Sequence, residues 1–131
     1  MKAVLCEGFT GPGDLVIRDI EEPDPAPDQV LIEVHAATVN FMDHLIVSGL
    51  YQMKPELPFV AGTDAAGVVL AVGSEVAGLA PGDRVACFNW TGAFAERMVA
   101  GAHRTVRLPD GVDFGPGSGI LHAYTTGLYA L

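Results

Sequence analysis

The side chains that most often bind metals or transfer protons are few and scattered in this sequence. Its histidines and cysteines show no metal-ligand spacing such as CxxC, and they stand at His35, His44, His103, His122, Cys6 and Cys87. A disulfide is conceivable, but the pattern favours two reduced core cysteines in a cytoplasmic protein. His44 follows Asp43, yet neighbouring side chains on a helix point apart, so the histidines are interpreted as structural.

Asn40 and Asp43 have the types and spacing of a helix N-terminus. Asn is a favoured N-cap residue, and a carboxylate three residues later can accept a hydrogen bond from the N-cap backbone. An amide and a carboxylate can also face a ligand, and the two roles are compatible. The pattern therefore predicts a capping box and leaves open whether the pair does more.

The glycine-rich run GPGSG at residues 115–119 is the one candidate for a phosphate-binding loop. Such loops lie between a strand and a helix, where backbone N–H groups face the phosphate. This run contains Pro116 and does not follow a strand of a βαβ unit. The sequence therefore predicts no dinucleotide-phosphate site of its own.

Length and composition indicate one globular domain. The chain has 131 residues, of which 50% are hydrophobic and 18% charged, with a mean hydropathy of +0.34. This is apolar for a small domain, so some surface is expected to be covered by another element. A net charge of -9 argues against a nucleic-acid partner. No apolar run has the length of a membrane span, so no membrane partner is expected.

Most of the sequence has the pattern of short strands. Five glycines interrupt apolar runs between Pro58 and Val85, which predicts a chain that reverses repeatedly in a small curved β core. The strongest strand runs from Val30 to Val39. Further strands are predicted at residues 2–6, 15–21, 68–72, 83–88, 93–99 and 104–109.

Two segments have a helical pattern. The period changes at Asn40 and predicts a short helix from Phe41 to Ser48, which Gly49 ends in the left-handed conformation. From about Ile120 apolar residues recur at spacings of three and four, at Leu121, Tyr124, Leu128 and Leu131. The second pattern is still open at Leu131, where no Gly, Asn or Pro follows as a cap, so we expect a truncated helix.

The chain resembles a known family from end to end. The motifs are VNFMD at residues 39–43, GLYQMKPELPFVAGTDAAGVVLAVGSEV at 49–76, GDRV at 82–85, GAFAE at 92–96 and LPDGVDF at 108–114. In this order they resemble the N-terminal GroES-like catalytic domain of the medium-chain dehydrogenase/reductase superfamily, in its zinc-free NADPH:quinone oxidoreductase (zeta-crystallin-like) branch. The resemblance implies a mainly β, partly open GroES-like barrel over residues 1–111. Residues 112–131 would connect it to an absent dinucleotide-binding (Rossmann) domain.

The same resemblance raises the question of a metal. The zinc alcohol dehydrogenases carry a Cys at the position of Asn40 and a His-Glu pair at the positions of Thr63 and Asp64. An amide, a hydroxyl and one carboxylate make a poor zinc site, because zinc favours thiolate and imidazole ligands. No cysteine follows Cys87 to form the family's structural zinc lobe. The sequence therefore predicts a protein without zinc.

Site residues are carried over from the resemblance by position. Asn40 and Asp43 would lie at the nicotinamide end of the cleft, and Tyr51 would line the substrate side. Thr63 would line the same pocket, and Thr126 would contact the cofactor near the domain junction. Tyr51, Asn40 and Asp43 are thus the expected catalytic residues, and Asn40, Thr63 and Thr126 the expected cofactor contacts. Each also has a simpler role as a cap, a loop aromatic or a helical threonine.

The implied activity is zinc-independent hydride transfer from NADPH to a quinone or similar conjugated carbonyl. NADPH would be bound mainly by the absent domain, so this chain alone is expected to be inactive. The full-length protein is expected to be a cytoplasmic homodimer. Two alternatives stay open: an enone or enoyl reductase of the same superfamily, and a non-catalytic GroES-like binding or assembly module.

Overall fold

A computed structural model describes all 131 residues as two antiparallel β-sheets with short helices at one end. The strands are β1 (Lys2–Cys6), β2 (Val16–Asp19), β3 (Gln29–Thr38), β4 (Phe59–Val60), β5 (Asp64–Val72), β6 (Arg84–Phe88), β7 (Arg97–Gly101) and β8 (Thr105–Arg107). The α-helices are α1 (Phe41–Val47), α2 (Phe114–Ser118) and α3 (Thr125–Ala130), and a π-helical turn at Ile120–Tyr124 precedes α3. None of these helices has the length and apolar character needed to cross a bilayer.

The larger sheet positions the candidate site. Its strand order is β7-β3-β5-β6-β8, so the long strands β3 and β5 lie side by side near its centre. Their register shifts between Leu31 and Ile32 and again between Val34 and Ala36, and such irregularities bend a sheet. Gly67 lies at the second shift. A Cβ there would stand 1.9 Å from the Glu33 carbonyl oxygen, so only glycine allows this close approach.

The smaller sheet has the order β2-β1-β4 and packs across the edge of the larger one. The contact runs through backbone hydrogen bonds, in which Val4 N–H donates to the Phe94 carbonyl at 2.8 Å. An isolated bridge joins Ala3 to Ala95. The two sheets remain separate ladders, so the fold is mainly β and partly open, as the sequence predicted.

The core confirms the interpretation of the cysteines. Cys87 belongs to a cluster of nine buried residues between β3, β5, β6 and β7, and Cys6 belongs to a second cluster beneath α1. Both thiols are free and buried, so the disulfide alternative is wrong. Burial removes both from solvent and lets them act as small apolar side chains.

Several predicted elements differ from the structure in their bounds. The strand predicted at residues 68–72 begins at Asp64, and the helical pattern from Ile120 starts as a π-helical turn before α3. The GPGSG run, for which no element was predicted, lies mostly in α2, where the Ser118 hydroxyl donates to the Gly115 carbonyl at 2.7 Å and Phe114 packs on the cluster formed by Ala66, Ala86 and Leu108. The strand predicted from residue 93 begins at Arg97. The backbone of Ala93 and Phe94 is hydrogen-bonded to Gly62 and Ala61 instead, on the edge next to the smaller sheet.

Candidate active site

The predicted capping box lies where β3 passes into α1. Asn40 is the N-cap with extended backbone, and its N–H donates to Asp43 Oδ2 at 2.7 Å. The Asp43 N–H donates to the Asn40 carbonyl at 3.1 Å. Gly49 follows the end of α1 and has a backbone φ of +69°, which is the left-handed conformation expected of it. The turn therefore holds the Asn40 amide and the Asp43 carboxyl on the same side of the sheet.

The start of β5 meets this turn and completes a buried polar group, here called the carboxylate cluster (Asn40, Asp43, Thr63 and Asp64). Asn40 Nδ2 donates to Asp64 Oδ2 at 2.7 Å. The Thr63 hydroxyl lies 3.0 Å from Asp43 Oδ1 and 2.9 Å from Asp64 Oδ2. Thr63 and Asp64 are fully buried, and Asp43 is 5% exposed. Two carboxyl groups thus share one hydroxyl away from solvent.

The cluster is short of hydrogen-bond donors. A hydroxyl has one hydrogen and cannot donate to both carboxylates at once. The second oxygen of Asp64, Oδ1, is buried without any partner. Burial raises the pKa of the Asp43 carboxyl, although its bonds to Asn40 and Thr63 oppose the rise. Burial likewise raises the pKa of Asp64, and the neighbouring Asp43 charge raises it further.

An aromatic row lies beside the cluster, formed by Tyr51, Trp90, Phe88 and His122. The Tyr51 and Trp90 rings have centroids 5.9 Å apart, and Phe88 meets Trp90 edge-on at 5.2 Å. His122 stacks on Phe88 at 6.2 Å with the ring planes 9° apart. The row adjoins the cluster because Phe88 pairs with Asp64 across β5 and β6, and Asn89 N–H donates to the Thr63 carbonyl at 2.9 Å.

The structure brings together most of the residues selected from the sequence. Asn40, Asp43 and Thr63 are in mutual hydrogen-bond contact, and Tyr51 lies in the adjoining aromatic row. Thr126 is separate from the cluster, on the exposed face of α3. The Thr126 hydroxyl makes no hydrogen bond in the chain, whereas its neighbour Thr125 donates to the Ile120 carbonyl at 3.3 Å.

Sequence reasoning did not select several residues at this site. His122 was interpreted as structural, but its ring stacks on Phe88, which pairs with Asp64 across β5 and β6, so it lies beside the cluster. Trp90 and Phe88 carried no signal beyond their aromatic type. Asp64 was considered only as a replaced zinc-ligand position next to Thr63, and not as a site residue.

Comparison with known proteins identifies the family. Residues 26–110 match the alcohol dehydrogenase GroES-like domain. The chain is 42% identical to the human quinone oxidoreductase, over 100% of this chain and 40% of the human protein. It is 37% identical to the quinone oxidoreductase of Pseudomonas aeruginosa, over 99% of this chain and 40% of that protein. The chain thus spans 40% of the length of these curated relatives.

Solved structures agree with the sequence relatives. The Escherichia coli quinone oxidoreductase complexed with NADPH superposes on all of this chain with a TM-score of 0.94, at 32% identity and over 40% of its own chain. A probable oxidoreductase from Mycobacterium abscessus superposes with a TM-score of 0.93 at 38% identity, over 100% of this chain and 42% of its own. The chain therefore belongs to the alcohol dehydrogenase GroES-like family, in the quinone oxidoreductase branch of the medium-chain dehydrogenase/reductase superfamily.

Proposed function

We propose that the chain is the catalytic-domain portion of an NADPH-dependent quinone oxidoreductase, with hydride transferred to a quinone or similar conjugated carbonyl. The observation that carries this proposal is the contact between the carboxylate cluster and the aromatic row at one end of the larger sheet. Two solved relatives were determined in complex with NADPH: the Escherichia coli quinone oxidoreductase and a mycobacterial protein. These complexes support the choice of cofactor.

The two parts of the site suit the two parts of this reaction. Bound NADPH would supply the hydride, and a quinone needs positioning more than strong activation because it is already electrophilic. The aromatic row offers apolar ring surface to a planar acceptor. The half-buried Tyr51 makes no hydrogen bond through its hydroxyl within the chain, so that hydroxyl is free to donate to the oxygen that becomes negative.

The groups that would bind NADPH lie partly in these 131 residues and partly in a further domain. Asn40 would contact the nicotinamide end, and the unpaired hydroxyl of Thr126 would contact the cofactor near the domain junction. Thr63 is fully buried, so it would act by holding Asp43 and Asp64 in place. A dinucleotide-binding domain, reached through residues 112–131, would hold the phosphates, and residues 1–111 would form the catalytic domain. We extend the proposal to a cytoplasmic homodimer for the full-length protein. The isolated chain should bind NADPH weakly, so micromolar affinity in isothermal titration would contradict this division.

The proposal includes a reaction without zinc. The donor set at the position of the family's catalytic zinc is an amide, a hydroxyl and carboxylates, and these groups are already hydrogen-bonded to one another. Zinc sites favour thiolate and imidazole donors, which the cluster lacks. Elemental analysis of the purified protein should find no stoichiometric zinc. One zinc per chain would refute this part of the proposal.

The decisive experiment uses the full-length form that joins this chain to a dinucleotide-binding domain. NADPH oxidation is followed with and without a quinone. Tyr51→Phe removes one donor to the developing oxyanion and is expected to lower kcat roughly 100-fold. Asn40→Ala should also lower the rate sharply, because it removes the amide that holds Asp64. Ser74→Ala is the control, since it removes an exposed hydroxyl in the turn after β5, within the proposed catalytic domain.

The outcomes separate the proposed enzyme from its alternatives. Normal rates in both Tyr51→Phe and Asn40→Ala would refute the site assignment. Reduction of enones but not quinones would shift the substrate class within the same chemistry. A discrete oligomer without any NADPH oxidation would favour a binding or assembly module.

A further inference from the structure

Arg104 is the one arginine of this chain without a polar partner. The other four are engaged: Arg18 with Glu7, Arg97 with Glu22, Arg107 with Asp83 and Arg84 with the Val112 carbonyl. Arg104 makes no hydrogen bond or ion pair, although the chain has 16 acidic residues and a net charge of -9. Five guanidinium N–H donors are therefore left over on a half-buried side chain.

The position of Arg104 connects it to the aromatic row. It is the last residue of a short 3-10 turn at Ala102–Arg104, between β7 and β8. Its guanidinium lies over the Phe88 ring at 5.7 Å and over the Trp90 ring at 5.9 Å. Cation–π attraction holds the guanidinium beside the two rings, and its N–H groups have no polar partner in the chain. A fixed, unpaired cation thus borders the surface proposed to receive the acceptor.

This combination selects a particular class of ligand. A guanidinium beside aromatic rings recognises a planar molecule that carries an anionic oxygen at its edge, because the rings contact the plane and the N–H groups bind the oxygen. Cofactor phosphates offer the same anionic oxygen without a ring plane attached to it. Tyr51 lies in the same row, at 5.9 Å from Trp90, so the acceptor is the ligand that can use both features.

We propose that Arg104 and Trp90 form a specificity subsite for quinones that bear an ionised oxygen, such as hydroxyquinones. This inference rests on the proposed function, because it specifies the acceptor of that same site. Arg104 acts by binding and orienting the acceptor. Uncharged quinones would still bind on the aromatic row, but they would leave the guanidinium without a partner.

The chain contains its own reporter for this test. Trp90 is its only tryptophan, so a quinone bound at the subsite should quench the protein's intrinsic fluorescence. Two probes are titrated into the purified chain at neutral pH: the hydroxynaphthoquinone lawsone, which is ionised there, and menadione, which is uncharged. Free N-acetyltryptophanamide corrects for absorption by the quinones. Fluorescence lifetimes separate a bound complex from collisional quenching.

Saturable quenching by both probes is expected, with lawsone bound about 10-fold more tightly, as one charge-assisted hydrogen bond would provide. Arg104→Gln should abolish that preference and leave menadione binding unchanged. Arg104→Lys keeps the charge without the planar fork and should retain part of the preference. Arg107→Gln is the matched control, since Arg107 is exposed and paired with Asp83. Circular dichroism verifies the fold of each variant.

Several results would overturn the subsite. These are an undiminished lawsone preference in Arg104→Gln, a lack of saturable quenching by lawsone, and displacement of lawsone by inorganic phosphate or NADP+, which would assign Arg104 to the cofactor. The full-length enzyme distinguishes this failure from that of the proposed function. If the full-length enzyme reduces menadione, but the ratio of kcat/KM for lawsone to kcat/KM for menadione is the same in Arg104→Gln as in the unchanged enzyme, only the subsite is refuted. Arg104-dependent binding without NADPH oxidation would refute only the proposed function.

Discussion

The carboxylate cluster predicts that the stability of the fold falls as the pH rises, and the substitution Asp64→Asn should reduce this fall. Asp64 is fully buried, its Oδ1 has no partner, and it shares the Thr63 hydroxyl with Asp43. Burial raises the pKa values of both carboxyls above their ordinary range. An asparagine has the shape of a protonated aspartate and can never ionise. The variant therefore imitates the protonated state that the fold prefers.

The direction in which stability changes with pH follows from comparing the protonation of the carboxyl in the folded and unfolded chains. Below a pH of about 4 the carboxyl is protonated in both states, so its titration does not affect stability there. As the pH rises through the raised pKa, the folded state holds a proton that the unfolded state has released. The free energy of unfolding consequently falls, by about 1.4 kcal/mol for each unit by which the pKa is raised. The share of this loss that comes from Asp64 should be absent in Asp64→Asn, whereas the share that comes from Asp43 should remain.

The size of the stability difference between Asp64→Asn and the unchanged chain can be estimated from Asp64 Oδ1, which has no hydrogen-bond partner. A buried acceptor without a hydrogen bond costs about 1–3 kcal/mol, and more when charged. We therefore expect Asp64→Asn and the unchanged chain to have similar stability at a pH of about 4. At a pH of about 8 the variant should be about 1–3 kcal/mol more stable, because the amide avoids burying a charge. Urea denaturation at a series of pH values measures this difference.

Asp83→Asn provides a control with the opposite slope. Asp83 accepts hydrogen bonds from the Ala80 N–H and from Arg107, and the backbone bond is the main reason that its pKa is lowered. Its contribution is present above the ordinary carboxyl pKa and is lost as the pH falls, so Asp83→Asn should be destabilising at neutral pH and harmless in acid. If Asp64→Asn is instead destabilising to the same extent at every pH, the charged carboxylate is well solvated by the fold and the reasoning is refuted.

Two further predictions concern the core. Gly67→Ala should lower the free energy of unfolding by about 2–3 kcal/mol or prevent folding, because its Cβ would meet the Glu33 carbonyl oxygen at 1.9 Å. Gly8→Ala is the control: a Cβ there meets nothing within 4 Å, so urea denaturation should show a change of less than about 0.5 kcal/mol. Desolvation by burial raises the pKa of Cys87 to about 12. Iodoacetamide at a pH of about 8 should therefore label Cys87 only after unfolding, and rapid labelling of Cys87 in the native chain would contradict this.

Local patterns in the sequence determined the elements that build the site. The Asn40–Asp43 capping box and the left-handed Gly49 were both predicted and confirmed, because a helix start and a helix end involve residues only a few positions apart. The long strand β3 was also predicted from its apolar pattern and confirmed within one residue at each end. In these cases the interacting groups are neighbours in the chain.

Only the tertiary structure decided which side chains meet. Asn40 contacts Asp64 across 24 positions of sequence, and Arg104 reaches Trp90 from a separate turn. Such contacts depend on the register of β3 against β5, including the irregularity opposite Gly67. A slip of one residue would turn Asp64 to the opposite face of the sheet, away from Asn40. Composition and spacing do not contain that register, so the donor shortage at Asp64 and the unpaired state of Arg104 became visible only in the folded chain.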